Sequence, residues 1–293
     1  MLHDASPAPV REQGTAGSRR QLSSRSFRDI ATLVEREAGI VLHESKRLMA
    51  TCRIARRLDA LGLESFDDYC RLLETDMGLQ ELPELIGALT TNVTAFFRER
   101  HHFNDFEGVV LPDLVTRARR GERIRLWSAG CSTGAEPYSI ALLIARSLPE
   151  ATELDIKVLA TDIDPASLRV AENAEYAASM VRREVPRDLI GFFEPSGHEK
   201  VRVRSDVRQL VAVRRLNLVQ EWPIRGAFDA VFCRNVVIYF GAETTDRIWS
   251  RFAERIVPGG RLYVGHSERV KGPAAAQFEP VGITAYRRRR PAP

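Results

Sequence analysis

The sequence predicts an α/β protein: a parallel sheet flanked by helices, preceded by a small all-helical domain. Three observations carry that expectation. Up to about residue 110 the apolar residues recur at helical spacing. Beyond it, short apolar runs alternate with helical segments, as in strands joined by crossover helices. The first of those runs ends in Gly130-Cys131-Ser132-Thr133-Gly134, a glycine-bracketed turn directly before a helix.

Residues 1–21 are rich in Pro, Gly, Ser and Arg, lack an apolar stretch, and read as a disordered tail without a secretory signal. Residues 22–91 read as the helical domain. Ser26 with Asp29 resembles a capping box, Ile30, Leu33, Val34 and Ala38 share one face, and Gly39 closes that helix. A second helix is expected over 44–61, closed by Gly62. Leu48, Cys52, Ala55 and Leu58 form its apolar stripe, and Lys46, Arg47, Arg53, Arg56 and Arg57 its basic face. Ser65 and Asp68 start a third helix carrying Tyr69, Leu72 and Leu73, and a fourth covers 79–89. In the second part, residues 92–290, strands are expected at 124–129, 156–161, 228–233, 261–265 and 283–287. Helices are expected at 137–148, 166–176 and 244–257, the last ending at Pro258-Gly259-Gly260.

Composition narrows the function classes. The chain has 293 residues, 44% of them hydrophobic, enough for a substantial core. No apolar run reaches the length of a membrane span, and a cytosolic location is the simplest expectation. Cys52, Cys70, Cys131 and Cys233 form no CxxC pair and have no histidine cluster beside them, so neither a zinc site nor a disulfide framework is signalled. The net charge of +4, partly in Arg287–Arg290, argues only weakly for an acidic partner.

Ligands of such sheets bind beyond the carboxyl ends of the strands. After the first strand, Gly130 and Gly134 let the backbone approach a ligand closely. The turn is neither GxGxxG nor a P-loop, which disfavours dinucleotides and triphosphates. Alone it is equally consistent with an ordinary strand-to-helix turn. After the second strand, Asp162 is placed to accept hydrogen bonds from ribose hydroxyls, and Asp164-Pro165 to cap the next helix. Turn and acid together favour a nucleoside ligand with little phosphate. A later strand ends in Arg234-Asn235 and then Tyr239, polar groups at the same sheet edge, although core packing for Tyr239 and a turn role for Asn235 are simpler readings. Asn217-Leu218 closes another apolar run. Asn92, Thr94, Phe96, Phe97 and Arg98 stand at the junction of the halves, either as caps and interdomain core or closing over a ligand.

With those residues in view, the chain resembles the CheR chemotaxis receptor methyltransferases, which transfer a methyl group from S-adenosylmethionine to receptor glutamates. The stretches LTTNVTAFFRERHHF, RLWSAGCSTGAEPYSIA, LATDID, FDAVFCRNVVIYF and GGRLYVGHSE carry the resemblance, in order, over residues 25–287. It implies a Rossmann-like class I methyltransferase sheet with a small inserted antiparallel β subdomain near 190–215, where 201–204 and 210–213 look like paired strands. It implies that Asn92, Thr94, Arg98, Glu136, Asp162, Asn217, Leu218, Arg234 and Asn235 line the cofactor pocket, with Arg98 and Tyr239 at the reacting centre and no metal. The helical domain would dock the cytoplasmic helical bundle of membrane receptors through Arg53, Arg56 and Arg57. Two departures are informative. Family members that grip a C-terminal receptor pentapeptide tend to have a longer glycine-rich loop than Phe193–Lys200 here, so independence of that pentapeptide is expected. Ala135 replaces a second acid, leaving Glu136 as the local acid for the cofactor.

The implied reaction is in-line attack of a glutamate carboxylate on the sulfonium methyl. A carboxylate with a reference pKa of about 4.3 is already ionised at neutral pH and needs no strong base. That agrees with the lack of a His–carboxylate or Ser–His arrangement; His101, His102 and His266 read as structural. Alignment and exclusion of water would supply the catalysis, with Arg98 as a planar fork for the carboxylate. Two other functions compete: methylation of a small molecule on the same sheet type, and a non-catalytic S-adenosylmethionine sensor. A nicotinamide dehydrogenase lacks its fingerprint, and a nucleic-acid role lacks a motif.

Overall fold

The computed structural model describes residues 21–290; the expected tail lies, apart from Gln21, outside them. Four helices open the described chain: α1 (Ser24–Ala38), α2 (Arg47–Leu61), α3 (Phe66–Leu73) and α4 (Asp76–Leu89). Phe27, Ile30, Val34, Ile54, Leu58, Phe66, Tyr69 and Leu85 are buried in their common core. α1 begins three residues earlier than the Ser26–Asp29 pair suggested. Ser23 is the cap, its hydroxyl accepting the Ser26 N–H at 3.0 Å. Ser26 instead donates its hydroxyl to Asp67 of α3. Ser65 caps α3 as expected, accepting from the Asp68 N–H.

The expected stripe of α2 is corrected. Ala50, Ile54 and Leu58 face the core, while Leu48 is 77% exposed and Cys52 lies on the surface. Two arginines turn inward with that face. Arg53 donates to the carbonyls of Ala88 and Thr90 at 3.1 and 2.5 Å, satisfying the open end of α4. Arg57 grips Glu81 through two bonds of 2.8 and 2.6 Å, and Glu81 also accepts from the Tyr69 hydroxyl. One buried carboxylate thus joins α2, α3 and α4. Of the three arginines expected to dock a receptor, only Arg56 stays fully exposed.

Helical structure continues past residue 110 through α5 (Arg100–Asp105), a π turn at Phe106–Val110 and α6 (Leu111–Arg119). There follow β1 (Ile124–Ala129), α7 (Ala135–Ser147), β2 (Ile156–Asp162), α8 (Pro165–Asn173), β3 (Glu175–Ala177), α9 (Ala178–Glu184), β4 (Phe193–Pro195), β5 (Lys200–Val203), α10 (Ser205–Arg208) and β6 (Val211–Arg215). The chain ends with β7 (Phe228–Cys233), α11 (Ala242–Arg255), β8 (Ile256–Val264), β9 (Phe278–Gly282) and β10 (Ala285–Arg288). The main sheet has the order β6-β2-β1-β7-β8-β10-β9, parallel through β8, with an antiparallel hairpin at the far edge. Alternate residues of β1 point to opposite layers. Leu126 joins Phe103, Ile140 and Phe232 on one face, and Trp127 joins Trp222, Trp249 and Phe252 on the other.

The small antiparallel sheet is β3-β5-β4, drawn from residues 175–203 rather than 190–215. The two strands expected to pair do not. β5 pairs with β3 and β4, whereas β6 is the parallel edge strand beside β2. Tyr176 therefore lies in a strand; α8 stops earlier because Ala174 takes a left-handed conformation with φ 51°. Pro258-Gly259-Gly260 does not separate helix from strand. It is an irregularity inside β8, where three residues of β7 (Phe228 to Ala230) stand opposite six of β8 (Ile256 to Arg261). The sequence reading also missed β9, and Ile283, expected in the last strand, is 67% exposed in the turn before β10.

Candidate active site

The site is built where β1 and β2 end. Gly130 has φ 83°, and a Cβ there would collide with Val236 Cγ2. Its N–H and that of Cys131 both donate to the Thr161 carbonyl at 2.8 Å, so the turn is pinned to β2. Asp162 reaches back: Oδ2 accepts from the Ser132 N–H at 2.7 Å and Oδ1 from the Asp164 N–H at 3.0 Å. Burial pushes the Asp162 carboxyl upward in pKa, and these N–H donors oppose the shift. Asp164 caps α8, accepting from the N–H groups of Ala166 and Ser167. The same carboxylate accepts from Asn92 Nδ2 at 2.6 Å, while the Asn92 carbonyl accepts from the Ser132 hydroxyl. The junction segment is thereby tied across the ends of both strands.

The floor is ionic. Glu136, in the first turn of α7, accepts from the Ser128 hydroxyl at 2.6 Å and from Arg234 Nη1 at 3.0 Å. Burial raises its pKa, and Arg234 opposes that. Arg234 also donates to the Arg98 carbonyl and lies 3.3 Å from Glu99. It thus holds the segment in which Phe97 and Glu99 take positive φ of 54° and 56°. Phe96 packs edge-on against Tyr176 and Phe193 of the small sheet, and Phe97 against Phe103, so both are core. The Arg98 side chain itself is exposed, with Nη1 on the Val93 carbonyl.

The far wall comes from β7 and β8. Asn235 has φ 60°. Glu268, 3% exposed, accepts four backbone N–H groups: Asn235 and Gly265 on Oε2 at 2.8 and 2.5 Å, Val236 and Val237 on Oε1 at 2.8 and 2.9 Å. One carboxylate thereby shapes the turn that presents Asn235 and Tyr239. The helical domain closes the cleft from above. The Tyr239 carbonyl accepts from the Val41 N–H, and Asn217 Nδ2 donates to the Glu37 carbonyl at the end of α1.

All ten predicted site residues line this one cleft: Asn92, Thr94, Arg98, Glu136, Asp162, Asn217, Leu218, Arg234, Asn235 and Tyr239. Sequence reasoning missed Ser132, Glu99 and Glu268, as well as Ala38 and Ile40, which bring α1 into the lining. Glu268 sits in the quoted GHSE stretch, but apart from its bond to Gly265 the bonds it makes cross the fold and leave no spacing signal. Glu99, His101 and His102 bring metal-type atoms within 4.8 Å of one another. The Arg234 guanidinium against Glu99 supplies the compensating charge and disfavours a cation there. His102 Nε2 is instead bonded to Thr284 Oγ1 at 2.8 Å.

The donor set fits S-adenosylmethionine. Asp162 keeps lone pairs for a ribose diol after its two backbone bonds, and Asn217 and Asn235 offer amides. Ile163, Leu216 and Leu218 supply apolar walls for a base, and Glu136 an acid near an ammonium group. Gly130 leaves the close approach that a Cβ would fill. No phosphate-binding loop is present in the sequence.

A sheet of this order, with a glycine turn after β1, an acid at the end of β2 and no phosphate cradle, defines an S-adenosylmethionine-dependent methyltransferase. Residues 92–287 match the family model for the CheR methyltransferase SAM binding domain, and residues 25–90 that for the CheR methyltransferase all-alpha domain. The chain is 44% identical over 258 residues to a probable chemotaxis protein methyltransferase of Rhizobium etli, covering 87% of this chain and 96% of that protein. It is 43% identical over 253 residues to the chemotaxis protein methyltransferase of Escherichia coli K12, covering 84% and 85%. The chain belongs to the CheR family of chemotaxis protein methyltransferases, which are protein-glutamate O-methyltransferases.

Proposed function

We propose that the chain methylates glutamate side chains of chemoreceptors, forming glutamyl methyl esters, and that it does so without a receptor C-terminal pentapeptide. The observation that carries the reading is the mouth of the cleft. Arg98 is exposed there with Nη1 on the Val93 carbonyl, and Val93 (76% exposed), Ile238 (50% exposed) and Tyr239 belong to the same lining. Two bare aliphatic side chains and a guanidinium on one lining suit a protein surface that offers a carboxylate among apolar neighbours. They suit a small polar substrate poorly, which favours the receptor over the small-molecule alternative. A pure sensor would have no use for the exposed fork.

The cofactor, when bound, supplies an electrophilic methyl group. Asp162 would hold the ribose, Glu136 the ammonium group, and Asn92, Thr94, Asn217, Leu218, Arg234 and Asn235 the remaining walls. Arg98 would orient the incoming carboxylate as a two-pronged donor, and the Tyr239 hydroxyl would fix its direction. The helical domain over the opening would exclude water. Independence of the pentapeptide is supported by the β4–β5 connection. It is a tight turn over residues 196–199, closed by the Ser196 N–H on the Lys200 carbonyl, with little loop to grip a peptide.

No helix among the described residues is long and apolar enough to cross a membrane; the proposed site of action is the cytoplasmic bundle of membrane receptors. Of the receptor-docking face first expected, Arg56 remains available. The test is labelled S-adenosylmethionine with demethylated receptor fragment. Label should enter base-labile esters on glutamates, and tight specific binding of a free receptor pentapeptide would overturn the pentapeptide statement.

A further inference from the structure

One face of the main sheet, covered over β1 and β7 by the core around Trp127, is left uncovered toward its β2–β6 edge. In register, Arg125 stands beside Lys157, Leu159 beside Ala212 and Thr161 beside Arg214. These residues line a groove of about 620 Å³ over β1, β2 and β6, walled by the segment before β7. The rim is strongly cationic. Arg125 is paired with Asp155, and Arg117 with Asp229. By contrast, the side chains of Arg123, Arg215 and Arg225 make no hydrogen bond or ion pair among the described residues. Lys157 and Arg214 reach only the carbonyls of Gln209 and Val213.

Clustered cations without counter-ions repel one another, so this arrangement does not serve folding. The floor carries Leu159 and Ala212 and the wall Ile224, apolar groups suited to one face of an amphipathic segment. Phe228, the groove's aromatic residue, is 5% exposed, so no ring is offered for base stacking, which argues against single-stranded nucleic acid. Leu216, just past β6, lines both this groove and the cofactor cleft, so the groove meets the cleft at one end and runs from there toward the amino ends of β1, β2 and β7. The inward turn of Arg53 and Arg57 leaves this face, rather than α2, with the larger unpaired charge.

We propose that the groove seats an acidic amphipathic helix of the receptor whose glutamates are methylated, anchoring the receptor along the sheet with one end of the groove at the cleft; this rests on the receptor reading above. The test uses the full chain with the double charge reversal Arg214→Glu/Arg225→Glu, varying the concentration of intact receptor in membranes. The expected result is a KM for receptor raised by about tenfold or more, with a flattened salt dependence. The turnover number and the affinity for S-adenosylmethionine should stay within about twofold. A receptor KM unchanged from wild type overturns the proposal, as does tight binding of an oligonucleotide that the reversal abolishes while KM stays fixed. If the reversal fails to fold by circular dichroism, the neutral Arg123→Gln/Arg225→Gln variant replaces it, with KM raised in the same direction. Receptor-fragment binding followed by fluorescence anisotropy separates the two readings. A wild type that binds the fragment through the groove but transfers no label overturns the receptor-methylation reading alone.

Discussion

Arg234 and Glu136 form a nearly sealed ion pair across the floor of the cleft, Nη1 to Oε2 at 3.0 Å, with side chains 2% and 11% exposed. The same guanidinium carries the Arg98 backbone and faces Glu99. Removing one partner of a buried pair strands the other's charge, which costs about 3–5 kcal/mol. Arg234→Ala should therefore lower stability by that order in urea denaturation and abolish methyl transfer. Glu136→Gln should lose S-adenosylmethionine affinity with a much smaller change in stability, because Arg234 keeps Glu99 as a counter-charge whereas Glu136 has no second cation among the described residues. Equal stability losses for the two variants would refute the asymmetry.

Glu268 should behave as a positioning residue for Asn235 and Tyr239. Glu268→Ala leaves four N–H groups without their acceptor, a cost of about 3 kcal/mol or more. Cofactor affinity should fall along with stability. Calorimetric titration of the folded fraction reads the first effect and urea denaturation the second.

Arg98 should matter for turnover and little for folding, since its side chain is exposed and its only side-chain bond among the described residues is to the Val93 carbonyl. Arg98→Ala should lower the turnover number by about 100-fold, the order expected when an orienting contact is lost. Arg28→Ala, on the exposed face of α1, is the control. Arg288 would be a poor one, because it donates to the Ala253 and Ile256 carbonyls at the end of α11. Comparable loss in both variants would end the assignment.

Gly130→Ala should weaken cofactor binding and stability together, by about 1–3 kcal/mol, since the positive φ and the contact with Val236 are both strained by a Cβ. Adding Val236→Ala relieves the collision but not the φ penalty, so the double variant should recover part of the loss in thermal melts.

His102 links stability to pH. Its pKa is pushed down to about 3, first by burial and then by Arg234 and His101. The unfolded chain, with an ordinary histidine pKa of 6.5, binds the proton first as pH falls. Its contribution is therefore fully present above about 6.5 and is lost progressively down to about 3, with a slope of at most about 1.4 kcal/mol per pH unit. His102→Gln should flatten the urea stability profile across that window. An unchanged profile would show that His102 does not carry the linkage.

The strands that end at Ala129, Asp162 and Cys233 are legible in the residues alone, because each is a short apolar run bounded by turn residues. So are the acids and amides that follow them and, through the quoted stretches, the family. Local chemistry was enough for Ser65 and Asp164 as caps and for Gly39 and Gly62 as helix ends. Only the tertiary structure decided which face of α2 is inward. A helix with arginines on two sides buries whichever pair finds an acceptor, and Glu81 and the end of α4 lie elsewhere in the chain. Tertiary contacts likewise sent Val211–Arg215 to the edge of the main sheet, because β5 was already satisfied on both edges by β3 and β4. The same holds for Glu268 and for the closing of the cleft by α1. Both depend on hydrogen bonds between residues 31 or more apart in the chain, and one-dimensional patterns do not register such bonds.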